Sequence, residues 1–563
     1  MRFNLLAALA FASVSSIALA QAAPQSPAPA PAPSAPAART SAGTPQFTAD
    51  GVKRHVEFLA SDALEGRDAG TPGYDKAAAY VADQYRTLGL QPANGSDFYQ
   101  QVPFVERKPA GAGAGGITIG GKRFAQGQDA FVSIIGEGAQ SWKGEAVFVG
   151  YGLKDAAAKL DDYAGLDVRG KTVVLLYGTP KGLPSDVAAS LNNGKAKVAE
   201  EQGAVGVLTL ATPELTKRFP VAMMRGEMNR PALSTANADG SPYRAAPGIK
   251  QQGFVIDTAA QALFAGAPRT PAAIYADAAA GRPIKGFALK PPIALEAAST
   301  WRRFTSPNVI GMIPGSDPAL ANEYVLLMAH LDHNGTNPAA PGADKIWNGA
   351  MDNAAGTATM LEVARAFAQA GVKPKRPVLF AAVTAEEDGL LGSDYLARNP
   401  LPGRKVVAVV NLDMPVLLYD FTDVTAFGAE HSTMGPIVAA AAQSAGVKLS
   451  PDPMPEENLF VRSDHYSFVK QGVPSVFLVT GFANGGDKAF KGFLGTHYHK
   501  PSDDLKLPFD WNAGAKFAKV NYAIAMGLAD AAAAPQWYAD SPFGERFAKD
   551  QPKAQRPAAA AAN

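Results

Sequence analysis

The sequence predicts an α/β fold: a mostly parallel central sheet flanked by helices, with a smaller β-rich module inserted into it. Three observations predict it. Four short apolar runs, residues 324–329, 377–383, 405–411 and 475–479, read as strands. Helical stretches at 354–370, 390–398 and 435–446 separate them, and that alternation favours parallel strands covered on both faces. The His, Asp and Glu residues of this half cluster where the strand-like runs end.

At the N-terminus, Arg2 precedes an apolar stretch, residues 5–20, that closes on Ala18-Leu19-Ala20. A short positive region, an apolar region and a small-x-small site make residues 1–20 a signal peptide. The stretch is shorter than the roughly 20 residues a membrane span needs, so an exported protein, periplasmic or secreted, without stable membrane insertion is expected. Residues 21–46 are rich in Ala, Pro and Ser and bury too little apolar surface to fold, which makes them a linker. Order begins near Phe47. Val52, Val56 and Leu59, then Ala79, Val81, Tyr85 and Leu88, recur at helical spacing. Between them Glu65-Gly-Arg-Asp-Ala-Gly-Thr-Pro-Gly73 is turn-rich. From 133 to 292 short β-like runs (146–151, 171–177, 205–211) define the inserted module. In the helix at 354–370, Thr357, Met360, Leu361, Ala364, Phe367 and Ala368 share one face. Residues 514–534 close the fold with an amphipathic helix, and 541–563 read as a disordered tail.

A length of 563 residues implies two or three domains. The net charge of +1 argues against a nucleic-acid partner. With no cysteine, disulfides, thiolate ligands and thiol nucleophiles are excluded. A transition-metal site would use His, Asp and Glu, which suits zinc, manganese or cobalt.

His330 and Asp332 end the first run, Glu386 and Glu387 follow the second, and Asp413 follows the third. Asp352 precedes a helix, and His499 lies in Thr496-His-Tyr-His-Lys-Pro-Ser-Asp-Asp504. Ligands of open α/β sheets bind beyond the carboxyl ends of the strands, so these groups converge on one crevice. Burying that many ionisable groups is costly unless they are paired or coordinate a metal. Asp352 also fits a helix cap, a role compatible with ligation. His333, His431 and His55 read as structural or surface residues, and Asp464 and His465 as lining or supporting the crevice.

These segments resemble the zinc-dependent exopeptidases of metallopeptidase family twenty-eight, the co-catalytic aminopeptidases. The resemblance is carried by His-x-Asp at 330–332, Gly-x-x-Asp-Asn-x-x-Gly at 349–356, and Glu-Glu-x-Gly-Leu-Leu-Gly-Ser at 386–393. Asn-x-Asp-Met at 411–414, Ser-Asp-His at 463–465 and Tyr-His-x-Pro-x-Asp at 498–503 complete the order. Residues 59–73 are similar to members with an inserted module, and 148–152 and 163–171 resemble a protease-associated domain. The resemblance implies a zinc-exopeptidase, phosphorylase/hydrolase-like domain made of 47–132 and 293–540, with 133–292 as the insert. It implies two zinc ions: Asp352 bridges them, His330 and Asp413 complete one site, and Glu387 and His499 the other. Glu386 would take the proton of the water shared by the metals, and Asp332 would accept the ring N–H of His330. The peptide bond after Asp352 would be cis. Phe460 stands where relatives place a phenol, so His465 or another group would have to contact the oxyanion. Peptides or proteins are the implied substrates, and release of N-terminal residues the implied reaction. A carboxypeptidase using Arg462, a glutaminyl cyclase-like enzyme and a non-catalytic receptor-like homologue are the alternatives. Retention of all five ligands and Glu386 argues against the last.

Overall fold

A computed structural model of the chain describes residues 45–111, 115–133, 135–228 and 230–557. The expected signal peptide, residues 1–20, and residues 21–44 of the expected linker lie outside them. Thr48 caps the first helix, Ala49–Leu59, by accepting from Gly51 N. A second helix, Pro72–Thr87, opens on Pro72 with Thr71 as its cap.

The four apolar runs form β1 (Glu323–His330), β2 (Val378–Val383), β3 (Lys405–Leu412) and β4 (Ser475–Thr480). They lie side by side in the order β2-β1-β3-β4, all parallel. Each reads as one continuous apolar run because both faces are covered. Val325 and Leu327 point into a core shared with Leu361 and Ile524 of the helices Ala355–Gln369 and Trp511–Asp530. Leu326 and Met328 point the other way, toward Leu396 and Phe468 of the helices Leu391–Arg398 and His465–Val469. Register brings the carboxyl ends to one edge: His330 pairs with Val383, and Met328 with Asn411.

The parallel strands are the centre of a larger mixed sheet, which counts 13 strands among the described residues. A 21-residue strand, Ile293–Ile313, runs antiparallel to β2 and to Tyr99–Pro109. On the far side Asp423–Phe427 is antiparallel to β4. The long strand escapes the sequence reading because its middle carries Arg302 and Arg303 on exposed positions, which breaks the apolar run that marks a buried strand.

The insert holds its own sheet, with 6 strands among the described residues. Ala146–Phe148, Thr172–Leu176, Gly206–Leu210 and Gln251–Val255 are parallel at its centre. Its margins interleave with the main sheet. Gly138–Gly144 and Ala232–Thr235 pair with Ile293–Ile313 and Tyr99–Pro109, whereas Ala130–Val132 joins the small sheet.

The stretch expected to be a disordered tail is packed as far as it is described. A helix, Pro542–Phe547, buries Phe543 against Phe460, His431 and Tyr466. Arg546 pairs with Asp155 of the insert at 2.8 Å and donates to Ser190 Oγ at 2.8 Å. Alanine and proline content past Pro552 hid the two aromatic anchors, Phe543 and Phe547, that hold this segment. Phe543 is 1% exposed, and Phe543→Ala is expected to cost about 3–5 kcal/mol in urea unfolding; an unchanged midpoint would show the segment only rests on the surface. Among the described residues no helix is long and apolar enough to cross a membrane.

Candidate metal centre

The site forms where β1, β2 and β3 end. Thr357 Oγ1 donates to His330 O at 2.9 Å, anchoring the end of β1 to the helix beneath. The loop before that helix presents Asp352, and Met351 N and Asp352 N donate to the Asp503 carboxylate at 2.8 and 3.0 Å. The Asp352-Asn353 peptide bond is cis. Asn353 ties this loop to the end of β3, donating to Leu412 O at 2.9 Å and accepting from Met414 N at 3.2 Å. Ser463 Oγ donates to Asp413 Oδ2 at 2.6 Å. His499, at φ 53°, has Tyr498 stacked on it, ring centroids 3.7 Å apart.

These elements bring His330, Asp352, Asp413, Glu387 and His499 together. His330 Nε2 lies 3.1 Å from Asp413 Oδ1 and 3.2 Å from Asp352 Oδ1. His499 Nε2 lies 3.1 Å from Asp352 Oδ2 and 3.1 Å from Glu387 Oε2. The two oxygens of Asp352 therefore face two different groups. His333, read from sequence as structural or superficial, belongs to the second: its Nδ1 is 2.7 Å from Glu387 Oε1, and the ring is buried. Two sets, His330-Asp352-Asp413 and His333-Asp352-Glu387, have the spacing to hold a metal ion. Glu386 stands beside them, 5% exposed.

Asp332 does not take the His330 ring N–H with its carboxylate. Its main-chain oxygen lies 3.2 Å from His330 Nδ1. The carboxylate accepts Glu386 N at 3.1 Å and Glu387 N at 3.2 Å, so Asp332 fixes the turn that carries both glutamates.

The electrostatics point to a missing positive charge. Burial pushes the Asp332 carboxyl up to about 7 and Asp503 to about 8. Burial also raises Glu386 well above the usual range, with Asp413, Asp464 and Glu387 adding and His330 opposing. Burial opposes ionisation of Glu387 too, yet His499 and His333 hold it well below the usual range. Burial lowers His499, but Glu387 and Asp352 together outweigh it and the ring rises to about 9. Asp352 Oδ2 and both Glu387 oxygens are buried and receive no hydrogen bond, although ring nitrogens lie within 3.1 Å. Ring nitrogens and carboxylates that face one another without hydrogen-bond geometry fit cations held between them. Divalent ions held between these ring nitrogens and carboxylates would satisfy the same oxygens.

The remaining candidates separate. His465 lies in the core, its Nε2 2.7 Å from Phe460 O, and burial lowers it to about 3. Phe460 is fully buried. Asp464 is buried, and burial raises it to about 7, with His330 opposing and Asp413 adding. Arg462 has Glu457 at 3.6 Å. His497 bonds Ser502, so His499 is the histidine of its segment that faces Asp352. His55 sits 2.7 Å from Tyr80 Oη and 3.6 Å from Glu362, and His431 packs on Phe460. Sequence reasoning passed over Tyr498 and Asp503, which stand inside the segment 496–504 it quoted, and gave His333 a structural or surface reading; proximity to His499 and His330 was the available signal. A cleft of about 750 Å³ opens at His499 between Trp347 and Leu507.

The fold and site define an α/β domain with a buried carboxylate–imidazole cluster at the carboxyl edge of its parallel strands. The family model Peptidase family M28 matches residues 308–525, which include β1 to β4 and every one of those side chains. Leucine aminopeptidase 2 of Trichophyton rubrum is 29% identical over 255 residues, 42% of this chain and 47% of that protein. A probable zinc metalloprotease of Pyrenophora teres f. teres is 37% identical over 107 residues, 19% of this chain and 22% of that protein. The matches thus span less than half the length of these relatives. Among solved structures, an aminopeptidase from Aneurinibacillus sp. strain AM-1 is similar at 20% identity and a TM-score of 0.46, covering 86% of this chain and 94% of that one.

Proposed function

We propose that the chain is a two-zinc metallopeptidase, an aminopeptidase that releases N-terminal residues from peptides. One observation carries the reading: the two oxygens of buried Asp352 face His330 and Asp413 on one side and Glu387 and His499 on the other. In this reading Asp352, His330 and Asp413 would hold one ion, Asp352, Glu387 and His499 would hold the other, and His333 would support Glu387. Zinc suits these borderline nitrogen and oxygen donors.

Bound there, the ions supply Lewis acidity toward the scissile carbonyl and the attacking water. The chain's own work is proton handling and orientation. A Glu386 carboxylate oxygen takes a proton as the water oxygen bonds to the carbonyl carbon. The same group returns it to the leaving nitrogen as the C–N bond breaks. Burial among other carboxylates raises the proton affinity of Glu386, which suits a group that must hold a proton between two steps. Asp332 keeps Glu386 and Glu387 apart by holding their main-chain N–H groups. Tyr498 supplies a phenol next to His499, with Asp352, Arg462 and Glu386 as electrostatic neighbours, and is assigned as a donor to the developing oxyanion.

The insert is read as a protease-associated domain that shapes access to the cleft. Residues 1–20 are read as an export signal, and the N-terminal sequence of the mature protein checks this. The function is tested by metal analysis of the purified protein and assays on free and N-blocked peptides. Two equivalents of zinc and hydrolysis of free N-termini alone are expected. A strong chelator should abolish activity, and zinc should restore it. Cleavage of blocked peptides only would overturn the aminopeptidase reading, and full activity without metal would overturn the zinc centre.

A further inference from the structure

We propose that the turn Glu65-Gly66-Arg67 is a bracket that sets the spacing between the two ligand loops of the metal centre, with Arg67 as its positioning residue. The proposal rests on the metal-centre reading above and concerns residues outside the 308–525 match. Arg67 is 1% exposed, and among the described residues no carboxylate forms an ion pair with it. Its donors go to main-chain oxygens instead. Nε donates to Leu331 O at 2.9 Å, Nη1 to Asn348 O at 2.6 Å and to Leu59 O, and Nη2 to Gly349 O at 3.1 Å. Leu331 lies between His330 and Asp332, and Asn348 and Gly349 open the loop that presents Asp352. One planar group therefore grips both loops.

The main chain of the turn repeats the grip. His333 N donates to Arg67 O at 3.2 Å, and Gly335 N to Gly66 O at 3.1 Å. Gly66, at φ 70°, is wedged so closely that a Cβ would stand 2.5 Å from both Gly335 O and Trp347 O. Asn348 Nδ2 reaches back to Ala60 O at 3.0 Å and Asp62 Oδ1 at 2.8 Å. Asp503 closes the far side by accepting Met351 N and Asp352 N. The Asp352 loop is thus held at its carbonyls by a guanidinium and at its amides by a carboxyl group. Burial lowers Arg67 to about 10, with Asp332, Asp503, Asp352 and Glu387 opposing that shift. Arg67 therefore remains charged at neutral pH, and its charge lies against the anionic cluster. The rigid fork matters as much as the charge: a lysine offers donors from a single point and cannot span Leu331 O and Gly349 O together.

Zinc affinity, read by competition with a chromophoric chelator, tests the bracket on full-length wild type, Arg67→Lys, Arg67→Gln and Tyr74→Phe. Tyr74 hydrogen-bonds Pro307 O from the adjoining helix and controls for general loosening of this segment. Both Arg67 variants are expected to lose about 10–100-fold in affinity, the range for groups that orient metal ligands, and lysine should not rescue. Tyr74→Phe should stay within about twofold, because its hydroxyl donates to Pro307 O and to neither of the loops that Arg67 grips. Thermal unfolding in excess chelator, run in parallel, shows whether each metal-free variant is folded. Wild-type zinc binding with unchanged affinity in folded Arg67→Lys and Arg67→Gln overturns the bracket alone. Absence of zinc binding by the wild type overturns the metal centre and the bracket with it. Should the Arg67 variants not fold, Gly66→Ala displaces the same turn: lost affinity supports the bracket, and wild-type affinity overturns it.

Discussion

Glu386→Gln is expected to lower kcat by about 10²–10⁴-fold while the protein keeps its full complement of zinc. The two halves of that result have different physical origins. Glu386 follows β2 in a turn whose main-chain N–H groups are held by Asp332, and its side chain lies outside both sets spaced to hold a metal. Glutamine preserves shape and packing but cannot accept a proton, so loss should fall on kcat with KM little changed. Neighbouring Glu387 sits between His333 and His499, and Glu387→Gln should instead release metal. Metal analysis beside steady-state kinetics separates the two. Full activity in Glu386→Gln would remove the proposed base, and loss of zinc from it would make Glu386 a ligand instead.

Much of this arrangement was legible in the sequence, for identifiable reasons. β1 to β4 were readable because burial on both faces leaves apolar runs without polar interruption. His330, Glu386, Glu387 and Asp413 stand out in the sequence because polar residues fall where such runs stop, whereas Asp352 and His499 were singled out by their resemblance to family motifs. What stayed hidden depends on partners distant in sequence. The strand Ile293–Ile313 is continuously buried only over residues 306–313, and toward its start buried Ile293 and Leu295 alternate with exposed or half-buried positions. His333 acquires meaning only when Glu387, 54 positions later, folds against it. Phe543 looks like part of a tail until Phe460 and Tyr466 receive it. Arg67 reads as one residue of a turn-rich loop, and its four carbonyl partners come from three separate segments. Local pattern therefore gives elements and candidate ligands; long-range hydrogen bonds decide what holds the ligands in place.

Asp352→Ala should have the largest effect on the metal, because it removes both oxygens shared by the two sets. Each set then loses a ligand, where Glu387→Gln weakens one only. Zinc content is expected to fall from two equivalents to below one, with activity at background. The affinity loss should exceed the roughly 10–100-fold expected for Asp332→Asn, which disturbs orientation but not the ligands. Folding should survive. Met351 N, Asp352 N and Asn353 remain bonded to Asp503 and Leu412 through groups the substitution leaves intact. In the metal-free chain, deleting one carboxylate also removes its repulsion from Glu387, which offsets part of the lost pairing with His330 and His499. Far-UV circular dichroism with zinc analysis decides the matter. A folded Asp352→Ala protein that still holds two zinc ions would mean the ions, if shared at all, are shared through another group, and the bridging role would have to be given up.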